Sequence, residues 1–300
     1  MRLAGGVVMV RHGRRTLGDT ATILLHGAAG SWTTWTPMLA AAADGTAPSA
    51  SLESDASLPL TDLIIPDLPG WGESALPTKR SDRSVEALAA TVAEVARALG
   101  YRRWIVLGHS MGGFIALQLA ASEPDSTVSV GLVSPTTFSV VDSVRHPLTR
   151  FFTLPAFTAL LQVMRLVVSL GRAGRPLLAA LRYLPLLRLA VSPLFSRPTE
   201  MDASVIAALG SEVRPAGFAV ASAQAGVYDA ENAWSRIECP VRSLTGDSDV
   251  FVAASDVDRL RGVIRGFESV TVAGAGHFAH IERPRATLSA LTALGVSRIG

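Results

Sequence analysis

Val106-Leu107-Gly108-His109-Ser110-Met111-Gly112-Gly113 is the stretch whose reading decides the fold. Strand formers from Trp104 to Leu107 run into Gly-x-Ser-x-Gly, and a helical pattern from Met111 to Ala121 follows at once. A serine hydroxyl is a weak nucleophile until a base activates it. A sharp strand-to-helix elbow lifts the side chain clear of the backbone and strains the serine. Its flanking residues, here Gly108 and Gly112, must therefore be small. The start of the helix adds unpaired N–H groups and positive dipole where an oxyanion would form. In a chain with 26 Gly, such a pentapeptide arises by chance in about one sequence in five. Its neighbours have to be consistent with it.

Working outward, the elbow sits in a chain that alternates strands and helices. Val7 to Arg11, Ala21 to Leu25, Asp62 to Pro66 and Val128 to Val133 read as strands, the last three nearly all apolar. A helix is expected from Trp32 to Ala42 with Ser31 as its cap, and another from Val85 to Leu99 capped by Ser84. The second has apolar residues at 85, 88, 92, 95 and 99, one face of a helix. Residues 43 to 61 are rich in Ser, Ala and Pro and read as a long surface loop. The alternation stops at Ser134 and resumes with strands at Val241 to Thr245 and Ser269 to Val272, with helices near Ser255–Val263 and Pro284–Leu294. The fold class expected is α/β, a mostly parallel sheet covered by helices on both faces. Residues 1–134 and 238–300 form its core domain, and 135–237 an inserted, all-helical cap.

A serine nucleophile needs a base, and a group to orient that base, on loops at the same sheet edge. Of six His, His277 follows the Gly-rich turn after the last strand and has room to swing over Ser110. His280, three residues on, reads as structural. His109 is expected to point away from the serine, His26 precedes a Gly-rich turn, and His12 and His146 lie in segments with no other catalytic signal. The acid should end the preceding strand, where Asp249 is preferred and Asp247 is second choice. Either completes the chain order Ser…Asp…His.

With these residues in place the chain resembles an α/β-hydrolase fold serine hydrolase, esterase- or lipase-like with a helical cap. The resemblance is carried by His26-Gly27, Asp67-x-x-Gly70-x-Gly72-x-Ser74, Gly108-x-Ser110-x-Gly112-Gly113, Gly246-x-x-Asp249 and Gly276-His277-x-x-x-x-Glu282-x-Pro284, in that order. It implies Ser110 as nucleophile, His277 as general base and acid, and Asp249 as the orienting carboxylate. The implied oxyanion hole is the backbone N–H of Ala28 and of Met111, and the mechanism needs neither metal nor organic cofactor. Two departures stand out. Val252-Ala253-Ala254 replaces the Pro often found beyond the acid, and Ser at 110 replaces the Asp nucleophile of dehalogenases and epoxide hydrolases. The expected reaction is hydrolysis of a carboxylic ester through an acyl-enzyme. A C–C bond hydrolase, a lactonase or perhydrolase, and a low-turnover ligand-binding member of the fold are the alternatives on the same residues.

Composition narrows the partners. The single cysteine, Cys239, allows no internal disulfide and reads as a core residue before Pro240. No Cys/His cluster has zinc spacing. The first residues lack the apolar run of a signal peptide, so a cytoplasmic location is expected. The net charge of +2 hides an asymmetry: eight Arg and no Asp or Glu between Ser143 and Thr199, against 19 basic and 25 acidic groups elsewhere. With Lys79 the only lysine and the Arg set among aliphatic residues, nucleic acid is not an expected partner. Ala156 to Leu170 confines its polar residues to 158, 162, 165 and 169, and Pro176 to Leu189 repeats the style with Arg182 and Arg188. Such helices suit packing on the sheet domain, an apolar acyl tunnel, or peripheral contact with an anionic membrane through the basic cap. Internal packing, with Arg165, Arg172 and Arg182 paired to acidic groups of the sheet domain, is the favoured reading. The substrate expected is an apolar, lipid-like ester.

Overall fold

The computed structural model describes residues 1–3, 5–16, 18–44, 60–149, 152–174, 176 and 184–292. The loop expected at 43–61 lies largely outside those residues, as do 177–183 of the helical stretch expected at 176–189, Arg182 among them, and the last two residues of the helix expected at 284–294.

Among the described residues, seven strands form the central sheet. They are β3 (Val10–His12), β4 (Thr20–Leu25), β5 (Leu63–Pro66), β6 (Arg103–His109), β7 (Thr127–Val133), β8 (Val241–Gly246) and β9 (Phe267–Val272), in the order β3-β5-β4-β6-β7-β8-β9. Only the edge strand β3 runs antiparallel, against β5. The single strand expected at Val7–Arg11 is two elements. Gly6–Val7 (β2) pairs with Arg2–Leu3 (β1) in a small hairpin, and only Val10–His12 joins the sheet.

Side-chain alternation along each parallel strand feeds two cores. Ile23 and Leu25 of β4, Val106 of β6 and Leu132 of β7 join one cluster, with helices α2 (Val85–Ala98) and α3 (Met111–Ser122). Leu24, Leu107 and Val133 point to the other face, where α1 (Thr36–Ala43) and α11 (Pro284–Thr292) cover them. Ser84 caps α2 as expected, its hydroxyl accepting from the Ala87 N–H at 3.1 Å. The helix expected from Trp32 begins instead as a 3-10 turn, Trp32–Trp35. Pro37 has no N–H to give the Thr33 carbonyl, and Thr36 satisfies it with both its N–H and its hydroxyl.

Between β7 and β8 the described residues are helical: α4 (Phe138–Arg145), α5 (Pro155–Ser169), α6 (Leu184–Val191), α7 (Ala203–Ser211), α8 (Pro215–Val227) and α9 (Ala230–Trp234). Phe138 and Val141 of α4, and Tyr228 through Ile237, pack into the α2/α3 core, whereas α5 and α6 contribute to two separate clusters. Among the described residues no helix is long and apolar enough to cross a membrane.

This topology positions the site. The chain winds from β4 outward to β5, then returns across β4 to β6 and continues the other way. Loops after β4 and β6 therefore diverge at a switch point, leaving a crevice beyond the carboxyl ends of the strands.

Candidate active site

Ser110 stands in that crevice with φ 52° and ψ −119°, a backbone conformation unfavourable for any residue but glycine. The elbow is braced by β7, since the Ser110 N–H donates to the Val133 carbonyl at 3.1 Å. It is also braced by close packing: a Cβ on Gly112 would overlap the Leu25 carbonyl oxygen, so strand and helix approach this closely only with glycine there.

The Ser110 hydroxyl lies 3.0 Å from His277 Nε2, and both carboxylate oxygens of Asp249 lie 3.1 Å from His277 Nδ1. An Nδ1–H donating to Asp249 leaves Nε2 as the acceptor of the serine proton. Burial pushes the Asp249 carboxyl up. The His277 charge opposes it, with hydrogen bonds from His277 and the Phe251 N–H, and the net shift is downward. Phe251 stands edge-on to the His277 ring at 5.0 Å, closing one side.

Asp247 is not part of this group. It accepts from the Gly274 N–H at 3.0 Å and fastens the turn that leads into His277. Glu282 holds the other side of that loop. One of its oxygens accepts from the Gly276 N–H at 2.6 Å and the other from the Ser196 N–H at 2.8 Å. The His277 N–H in turn donates to the Leu194 carbonyl at 2.8 Å, so the base-bearing loop is tied to the helical segment.

His26 is wholly buried and bridges two loops. Nδ1 faces the Gly27 carbonyl at 2.8 Å and Nε2 accepts from the Leu68 N–H at 2.9 Å. Desolvation lowers its pKa and keeps it neutral for that role. Asp67 accepts from the Trp32 and Glu73 N–H groups, and Gly72, at φ +52°, leaves room for its carboxylate. His280 is buried against Trp35 and His109, and burial pushes it down to about 3. His12 and His146 are exposed. His109 was missed by sequence reasoning. Its ring packs against Phe278 and His280, and Nε2 reaches the His277 carbonyl oxygen at 3.0 Å.

Ala28 and Met111 line the same cavity as Ser110 and His277. Among the described residues, neither backbone N–H has an intramolecular acceptor. The cavity has a volume of about 500 Å³, and Phe157, Leu160, Met164, Leu187 and Phe218 make much of its wall. Arg83 and Arg214 are the charged side chains on its lining, and no carboxylate reaches it among the described residues. No group of His, Cys, Asp and Glu among the described residues could hold a metal ion.

Residues 22–290 match the sequence profile of the alpha/beta hydrolase family. The chain belongs to that family. This alpha/beta hydrolase is 30% identical over 145 residues to the dihydrolipoyllysine-residue acetyltransferase component of the acetoin cleaving system of Cupriavidus necator, covering 48% of this chain and 34% of that protein. It is 29% identical over 101 residues to epoxide hydrolase 4 of Mus musculus, covering 30% of this chain and 28% of the other. The chain thus spans about a third of the length of the curated relatives it matches. A hydrolase from Pseudomonas aeruginosa PA01 has the same fold, with a TM-score of 0.71 at 19% identity over 98% of this chain and 96% of that one.

Proposed function

We propose that this alpha/beta hydrolase is a serine esterase for an apolar acyl substrate, with residues 135–237 acting as a cap over the site. One observation carries the reading. Ser110, His277 and Asp249 form a continuous hydrogen-bonded chain that opens into an apolar cavity of about 500 Å³.

Ser110 Oγ attacks the acyl carbonyl carbon as His277 Nε2 takes its proton, and Asp249 stabilises the imidazolium and its tautomer. The Ala28 and Met111 N–H groups receive the carbonyl oxygen as it becomes an oxyanion. A donor of this kind is worth about 3 kcal/mol. His277 returns the proton to the departing alkoxide, leaving the acyl group on Ser110. A water molecule, deprotonated by the same nitrogen, then releases the acid and restores the serine. The carboxylate nucleophile that would open an epoxide or displace a halide is missing, because the elbow carries Ser110.

Labelling with a fluorophosphonate, followed by turnover of p-nitrophenyl esters graded by chain length, tests the proposal. Labelling lost in Ser110→Ala, with hydrolysis rising from short to medium chains, is the expected result. Labelling without ester turnover would point to a lactone, a C–C bond substrate or a ligand-binding role.

A further inference from the structure

The outward side of the helical segment is apolar where a solvent-facing helix is ordinarily polar. On α5, Phe157, Leu161, Met164 and Val167 face inward, while Val163, Leu166 and Leu170, just beyond its end, face solvent, Leu166 at 54% exposure. On α6, Leu187 is buried, whereas Leu186 and Leu189 are exposed, Leu189 at 72%. Val163 of α5 and the exposed Ala190 of α6 also line the cavity above Ser110. The outer apolar surface is therefore continuous with the apolar interior of the site.

Cations border this surface. Between Ser143 and Thr199 there are eight Arg and no carboxylate. Arg145 and Arg188 are committed to backbone carbonyls, and Arg197 to Glu200. The exposed Arg172 and the half-buried Arg165 form no ion pair among the described residues, contrary to the internal pairing favoured from the sequence. Cations beside exposed leucines on helices flanking a cavity suit an amphiphilic, negatively charged surface. A second copy is a poorer match. A two-fold contact through this face would set one protomer's basic face against its partner's, with no acid between Ser143 and Thr199 to offset it.

We infer that the α5–α6 face docks on a membrane surface carrying anionic lipid, and that an apolar substrate enters the cavity from that phase. The docking clause stands without the proposed chemistry; only the substrate clause rests on it.

Co-sedimentation tests the docking, with vesicles of phosphatidylcholine alone and of equal parts phosphatidylcholine and phosphatidylglycerol. Wild type and Ser110→Ala are run together, so that binding is read apart from turnover. Both should sediment with the anionic vesicles at low salt and be released at about 1 M salt, where charges more than about 3 Å apart are screened. Arg165→Glu/Arg172→Glu should weaken binding by about tenfold or more. Leu166→Gln/Leu170→Gln should also weaken it, with hydrolysis of a short soluble ester kept, since neither leucine lines the cavity. No sedimentation, equal binding to both vesicle types, or indifference to salt would overturn the inference. So would a dimer in velocity sedimentation that Leu166→Gln/Leu170→Gln dissolves, which would make the occupant a second copy. If a variant melts early, the salt and lipid arms on the wild type still decide the matter.

Discussion

His109 Nε2 sits 3.0 Å from the carbonyl oxygen of His277, so the residue before the elbow serine holds the backbone of the residue proposed as its base. Burial, then the neighbouring His280 and His277, depress the His109 pKa well below its ordinary value, which keeps the ring neutral with one N–H to donate. Because β6 fixes His109 and the elbow fixes Ser110, this bond sets the serine-to-base spacing from the strand itself.

His109 is therefore a positioning residue. His109→Ala should cost about 2–4 kcal/mol of stability through the cavity and the lost hydrogen bond. It should lower kcat by about tenfold with KM nearly unchanged, the pattern of an interaction realised in the transition state. His109→Gln, which can still donate, should recover part of kcat. A change in stability alone, with kcat intact, would reduce the residue to core packing.

Ser110→Ala and His277→Ala should each lower ester hydrolysis by about 10⁴-fold or more while the thermal transition stays close to wild type. His280→Ala should differ in kind. It empties a buried site beside Trp35 and should lower the melting temperature, with kcat falling by less than about tenfold. Steady-state kinetics and calorimetry on the three variants separate these outcomes, and reversed effects of the two His variants would reassign the base.

Asp249→Asn should drop kcat by about 10⁴-fold, because an amide no longer selects the imidazole tautomer. Asp247→Asn, on the outer side of the turn, should keep most of the activity. Asp249 also leaves a trace in stability. Its pKa is lower folded than unfolded, so the unfolded chain binds more protons at acid pH. The stabilisation is full above about pH 5 and is lost as pH falls through the unfolded value near 3.9 and then the folded one. Between those limits the denaturant midpoint should fall with pH in wild type and depend less on pH in Asp249→Asn.

Asp256 of α10 (Ala254–Val263) caps α4 from another element. Its carboxylate accepts from the Thr137 hydroxyl at 2.7 Å, the Ser139 N–H at 3.0 Å and the Ser139 hydroxyl at 2.6 Å. Burial raises its pKa in spite of those bonds. Asp256→Ala strands three buried donors and should destabilise the protein by about 2–4 kcal/mol, a drop of several degrees in Tm. Thr136, just before α4, lines the cavity, so KM should rise with little change in kcat.

The elbow, the alternating strands and the Gly-rich turn before His277 were legible in the chain because they depend on near neighbours. A strand that must turn at once into a helix needs Gly108 and Gly112 beside the serine. Apolar strands covered on both faces announce themselves by composition. Even the capping of α2 by Ser84 is a matter of three residues. Where the local reading failed, a local competitor was present, as with Pro37, which turned the first helical turn after β4 into a 3-10 turn.

What the sequence could not decide is which distant groups meet. Asp247 and Asp249 are two carboxylates two residues apart on one loop. Only the tertiary packing sends one carboxylate out to Gly274 and the other in to His277. His109 finds its acceptor 168 residues away, and Asp256 its donors 117 and 119 residues away. Those pairings follow from the order in which the strands lie side by side, which brings the loops after β4, β6, β8 and β9 to one edge. Periodicity and turn chemistry act over a few residues, whereas the adjacency of strands is settled by burial of the whole sheet.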